Sequence, residues 1–197
     1  IIGKLERSFG SDAETVTKMA KIWLEESSSY DVISCLKHFP GHGSSGGDSH
    51  LGLVDVTKSW KQLELDPYKN MINELSVPMI MTTHVINKQL DDHPATLSYK
   101  ILTQLLREEL GFQGVIITDD LGMHAIKKQY DYATAVRMTI EAGADMLCIG
   151  NNSDAYNEDV VPQTFDIIYN LVSAGILSAE RIHQSAERIR QMKALLK

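Results

Sequence analysis

Four short apolar runs recur along the chain, separated by longer amphipathic stretches, and this alternation constrains the fold more than any other feature. The runs are Val32–Phe39, Val77–Thr83, Val115–Thr118 and Met146–Ile149. Each is nearly continuous in apolar residues, as befits strands buried on both faces. Between them lie helical patterns. The clearest runs from Tyr99 to Leu110, with Ile101, Leu102, Leu105, Leu106 and Leu110 on one stripe, Ser98 as N-cap and Gly111 as the glycine that ends it. Ser11 or Asp12 is expected to cap a first helix reaching about Glu26. Another spans Tyr132–Ala142 and stops at Gly143, and a last one spans Ala179–Leu196 after Ser178. Strand–helix alternation at this spacing predicts an α/β fold with a parallel sheet and crossover helices. A doubly wound open sheet and a (β/α)8 barrel both satisfy it. Four strands fall short of the eight that a closed barrel needs, but suit half of one. No Walker-type loop follows a strand, and nucleotide binding is poorly supported. There is no repeat and no low-complexity linker, and Gly150–Asp159 is a polar loop inside a single domain spanning 1–197.

Polar side chains gather where these runs end. The first runs into Lys37-His38-Phe39-Pro40-Gly41-His42-Gly43, then a small-residue loop, then Asp48-Ser49-His50. The second ends Thr82-Thr83-His84 and the third Thr118-Asp119-Asp120. Ligands bind at the carboxyl edge of parallel strands. Charges placed there without a partner would be costly in a core. A carboxylate at such an edge can act as a nucleophile or hold a metal. A His two residues from an Asp can be oriented by it. A nucleophile and an acid/base on neighbouring loops are what retaining glycoside hydrolysis requires, here with His in place of a second carboxylic acid.

The composition is that of an ordinary globular domain: 197 residues, 43% hydrophobic, 23% charged. A net charge of −7 argues against nucleic acid or an anionic membrane surface as partner and fits a small neutral or polar substrate. No apolar run approaches the length of a membrane span. Cys35 and Cys148 each sit within an apolar run and read as small buried hydrophobes, not a disulfide. Neither they nor the charge fix a compartment. The chain starts at Ile1 with no leader pattern, and is expected to be a piece of a longer protein.

The segment KHFPGHGSSGGDSH, residues 37–50, resembles the signature of the β-N-acetylglucosaminidase (β-hexosaminidase) branch of family 3 glycoside hydrolases. VIITDDLGM, residues 115–123, is similar to that family's nucleophile strand. Arg7-Ser8-Phe9, thirty residues before Lys37, and MTTHVINK, residues 81–88, match further parts of its pattern. The resemblance implies the C-terminal portion, about four β/α units, of a TIM-type (β/α)8 barrel that lacks its N-terminal strands. It implies a retaining exo-β-N-acetylglucosaminidase acting on a small carbohydrate such as a peptidoglycan or chitin fragment. Asp119 would be the nucleophile, His50 the general acid/base and Asp48 its orienting partner. Lys37, His38, Arg7 and His84 would contact the sugar. No cofactor and no metal is implied. The missing strands include an Asp that the family uses to hold the sugar, so this piece alone is expected to bind sugar weakly.

Each assignment has a plainer rival. Asp119 or Asp120 could simply cap the helix that follows. His50 could be a solvated loop residue and Asp48 an Asx-turn former. Lys37 and His38 could belong to a buried ion pair, and His84 could be a satisfied core residue. His42, in the turn Pro40-Gly41-His42-Gly43, reads as structural. Its i, i+4 spacing from His38 would suit zinc only on a helix, and Pro40-Gly41 prevents one. Trp23 and Trp60 read as packing residues. Three other functions compete: another family 3 glycosidase or a phosphorylase, a metal-dependent barrel hydrolase, and a non-catalytic sugar-binding fragment.

Overall fold

The computed structural model describes residues 2–47, 52–151 and 156–196. Three strands, β1 (Cys35–Phe39), β2 (Met79–Thr82) and β5 (Val115–Ile117), form a parallel sheet in the order β1-β2-β5. Parallel strands need crossovers: helix α2 (Asp66–Glu74) lies between β1 and β2, the helical segment Lys100–Glu109 lies between β2 and β5, and helix α1 (Ala13–Ser29) leads into β1. The fourth expected strand is reduced to a single parallel bridge, Ile117 with Met146, at the outer side of β5. The first run shortens in the same way: Val32–Ser34 stay outside β1, with Val32 exposed. Among the described residues no strand pairs with the free edge of β1. A short antiparallel hairpin, β3 (Ile86–Asn87) and β4 (Asp91–Pro94), follows β2 directly. It has no counterpart in the sequence reading, because strands of two and four residues carry no usable periodicity.

The helix ends follow local chemistry. Asp12 Oδ1 accepts the Thr15 N–H at 2.8 Å and starts α1. The single turn α3 (His124–Lys127) precedes α4 (Tyr132–Ala142), which Asp131 caps through the Thr134 N–H at 2.9 Å. Gly143 ends α4 at φ +118°. Helix α5 (Val160–Ser173) was not foreseen; α6 (Ala179–Lys193) starts at Ser178, whose hydroxyl accepts the Arg181 N–H at 3.1 Å. The segment Lys100–Glu109 is helical as expected, with the Ile101 N–H held by the Ser98 hydroxyl at 3.1 Å and Gly111 at φ +72° just beyond it. Its turns are π-type: the Leu110 N–H reaches back to the Leu105 carbonyl, five residues earlier, at 2.9 Å.

The main core lies between the sheet and the layer of α1, α2 and Lys100–Glu109. Phe39, Met71, Ile80, Ile101, Leu106 and Ile116 are buried there. Phe39 meets Tyr68 edge-to-face, with ring centroids 5.1 Å apart. Gly114 lets β5 begin close to β2, since a Cβ there would stand 2.6 Å from the backbone oxygens of Val77 and Pro78. These contacts align the carboxyl ends of the three strands. No helix among the described residues is long and apolar enough to cross a membrane.

Candidate active site

The site is assembled at that common edge. Strand β1 contributes Lys37 and His38, and β5 leads through Thr118 into Asp119 and Asp120. The register between β1 and β2 slips here: Lys37 faces Met81 and Phe39 faces Thr82, so His38 is an extra residue on one side. A bulge of this kind re-aims a side chain. It turns His38 away from the regular pleat and toward β5, where His38 Nε2 stands 3.9 Å from Asp119 Oδ2. That separation exceeds hydrogen-bond length, so neither group is consumed by the other. The peptide bonds Lys37–His38 and Phe39–Pro40 are both cis.

The electrostatics of His38 follow from its place. Burial pushes its conjugate acid down to about 4, and the positive charges of Lys37, His42 and Arg7 act in the same direction. Asp119 opposes them. Arg7, some thirty residues upstream, is thus brought into the electrostatic surroundings of His38. Lys37 is exposed at the strand end. His42 packs edge-on against His38, with centroids 5.9 Å apart, and is 8% exposed, in keeping with a bracing residue.

Asp119 and Asp120 have separate tasks. Asp119 Oδ1 accepts the Asp120 N–H at 2.9 Å, while Oδ2 faces His38. Asp120 Oδ1 accepts the N–H groups of Gly122 and Gly150, each at 2.8 Å. Asp120 therefore fastens two loops, while Asp119 keeps Oδ2 on the side of His38. His84 was read both as a sugar contact and as a satisfied core residue. It is fully buried, its Nδ1 lies 2.9 Å from the Thr96 hydroxyl and its Nε2 2.9 Å from the Asp120 carbonyl. The ring lies behind the strand end. Asp48 and His50 lie outside the described residues. The root of their loop is held by Glu64, which accepts the N–H of Gly43 at 3.1 Å, and by Trp60, which donates to the Pro40 carbonyl at 3.1 Å. Gly41, at φ +128°, sits against Glu64 where a Cβ would be 2.7 Å from the Glu64 Cβ.

Sequence reasoning missed Glu64 and Thr96, and read Trp60 only as a packing residue, since nothing marks a distant residue as the brace of a turn. Two surface clefts, one between α1 and α2 and one along α6, contain none of these groups. Among the described residues, no three His, Cys, Asp or Glu side chains form a group that could hold a metal ion.

The family model described as the glycosyl hydrolase family 3 N-terminal domain matches residues 2–192. The chain belongs to glycosyl hydrolase family 3. Within family 3 it is 35% identical over 210 residues to beta-hexosaminidase A of Pseudoalteromonas piscicida, covering 96% of this chain and 34% of that protein. With a beta-hexosaminidase of Tolumonas auensis it shares 37% identity over 150 residues, covering 75% of this chain and 45% of the relative. The beta-N-acetylglucosaminidase of Thermotoga maritima superposes with a TM-score of 0.86 at 29% identity, over 97% of this chain and 41% of that one. This chain thus spans less than half the length of each of these family 3 relatives.

Proposed function

We propose that residues 1–197 are the single-domain, C-terminal portion of a TIM-type (β/α)8 barrel, and that the protein is a retaining exo-β-N-acetylglucosaminidase. The observation that carries this is the pairing of Asp119 with the buried His38 across the carboxyl edge of the sheet, 3.9 Å apart. The beta-hexosaminidase and beta-N-acetylglucosaminidase relatives support the substrate class.

In the first step, the Asp119 carboxylate attacks the anomeric carbon and forms a glycosyl ester, while the bond to the leaving oxygen breaks. His50 gives that oxygen a proton, and Asp48 holds the imidazole and stabilises its charged form. In the second step, water attacks the same carbon as His50 removes its proton, and the ester bond returns its electron pair to Asp119. Lys37, His38 and Arg7 hydrogen-bond the sugar hydroxyls. His38, kept uncharged by burial, offers an N–H without drawing Asp119 into an ion pair. His50 and Asp48 enter on the resemblance of residues 37–50 alone.

The test is release of nitrophenol from an aryl β-N-acetylglucosaminide by the full-length protein, beside Asp119→Asn. Turnover is expected in the wild type and a loss of at least about 10³-fold in the variant, as when a nucleophile is removed. A folded wild type that leaves this substrate intact would overturn the specificity. A fully active Asp119→Asn would overturn the assignment of the nucleophile.

A further inference from the structure

We propose that His84 is a positioning residue for the nucleophile, acting through the backbone of Asp120; the catalytic part of this inference rests on the reading of Asp119 given above. The geometry starts from the Asp120 carbonyl. It has no proton to give, so His84 Nε2, 2.9 Å away, must carry one and donate it. The other ring nitrogen, Nδ1, faces the Thr96 hydroxyl at 2.9 Å. Thr96 is fully buried and stands 2.6 Å from the Thr82 hydroxyl. Its hydroxyl donates to the Thr83 carbonyl at 2.9 Å, which also accepts the Thr96 N–H at 3.2 Å. The chain Thr82–Thr96–His84–Asp120 therefore runs from the end of β2, through the turn after the hairpin, to the residue next to Asp119.

What this chain holds is the peptide on which Asp119 depends. The Asp120 carbonyl accepts from His84 Nε2 and also from the Met123 N–H at 3.0 Å. The Asp120 N–H binds Asp119 Oδ1 at 2.9 Å, and the Asp120 carboxylate is tied to Gly122 and Gly150. With the carbonyl, the N–H and the carboxylate all fixed, Asp120 cannot rotate, and one oxygen of Asp119 is fixed with it. The other oxygen is then aimed toward His38. Hydrogen-bond networks of this kind, built on the fully buried His84, Thr96 and Thr82, are stiff. Stiffness matters at this place because a nucleophile displaced by about 1 Å loses on the order of 10² in rate. Substrate binding, by contrast, is carried by Lys37, His38 and Arg7 on other segments. The expected signature is a loss in kcat with KM nearly unchanged.

Three substitutions separate this from a packing role. His84→Gln places an amide N–H near the position of Nε2 and keeps the bond to Asp120. His84→Asn keeps a group near Nδ1 and loses that bond. Thr96→Val keeps the ring but removes its orienting hydroxyl. In the full-length protein with the aryl β-N-acetylglucosaminide, His84→Asn is expected to lower kcat about 10²-fold with KM within about two-fold. His84→Gln should recover most of that loss, with Thr96→Val falling between. A residue that only fills space would lower the unfolding temperature of Asn and Gln variants alike and leave kcat of the folded protein equal in both; that result would overturn the proposal. A readout independent of turnover accompanies it: the ¹³C shift of the Asp119 carboxylate, identified by its loss in Asp119→Asn. It should move in His84→Asn and return in His84→Gln. An unmoved Asp119 signal overturns the positioning role whatever the substrate. Absence of wild-type turnover with a moved signal would instead sink the substrate assignment and leave the positioning intact.

Discussion

His38 shows how one residue can carry both a chemical and a stability consequence. Its side chain is 9% exposed, and burial together with Lys37, His42 and Arg7 holds its conjugate acid near 4 against an ordinary 6.5. The unfolded chain takes up this proton as pH falls through 6.5, whereas the folded chain resists until about 4. Stability is therefore complete above 6.5 and is lost as pH falls toward 4, because the unfolded state binds more protons throughout that window. Between about pH 7 and about pH 5 the loss from this residue should reach about 1–2 kcal/mol. Urea unfolding of wild type and His38→Gln at both pH values checks this: the wild type should lose that much more than the variant, and parallel losses would refute it. The sequence placed His38 at a strand end, since the apolar run stops there. It could not show the bulge that points the ring at Asp119, because a slipped register depends on the neighbouring strand. Likewise His84 was legible as a polar residue at the edge of β2, but not as an enclosed brace, since its partners Thr96 and Asp120 are 12 and 36 residues away.

Among the elements, α6 is fixed to the sheet by a single fully buried carboxylate. Asp145 lies just before the Met146 bridge to β5. It accepts from Arg107, from Arg181 at 3.4 Å, from Arg188 at 3.2 Å, from the Ser185 hydroxyl at 2.8 Å and from the Ile116 N–H at 3.0 Å. The helical segment Lys100–Glu109, β5 and α6 thus share one anchor, away from Asp119. Removing it would strand three partly buried guanidinium groups. Asp145→Ala should cost about 3–5 kcal/mol, the usual penalty for breaking a buried pair from one side. Chemical unfolding measures that cost, and kcat of the protein that remains folded should stay near the wild-type value; a loss under about 1 kcal/mol would show that the arginines find water instead. This anchor was invisible in the sequence, since Arg107 and Arg181 stand 38 and 36 residues from Asp145. The caps Asp12 and Ser178 and the stop at Gly143 were legible because a cap is decided within four residues. Strand lengths were not: apolar runs mark burial, but pairing partners decide where a strand ends.

For the whole molecule, the question is what meets the surfaces that the described residues leave open. Helix α1 packs on α2 through Thr17, Ala20 and Leu24, yet carries a second apolar stripe of Met19, Ile22 and Trp23. Trp23 is 63% exposed, with the Phe9 ring 6.4 Å away between centroids. A helix with two apolar stripes has two neighbours to satisfy, and contiguous exposed apolar patches of this kind mark interfaces. The stripe lies on the helix leading into β1, whose outer edge is unpaired among the described residues, and an unpaired edge invites another strand. Under the barrel proposal both are covered by the remaining β/α units of the relatives' longer chains. Tryptophan accessibility tests this directly. Trp60 is 6% exposed and donates to Pro40, so it contributes a shielded signal in any context. Acrylamide is the suitable quencher, because it is neutral and a net charge of −7 would repel an anionic one. In the isolated 1–197 chain, the emission removed by Trp23→Phe should be strongly quenched. In the full-length protein the same difference signal should be shielded to about the level of Trp60. Equal quenching of Trp23 in the two proteins would mean that this face stays in water, and the barrel would have to close without it.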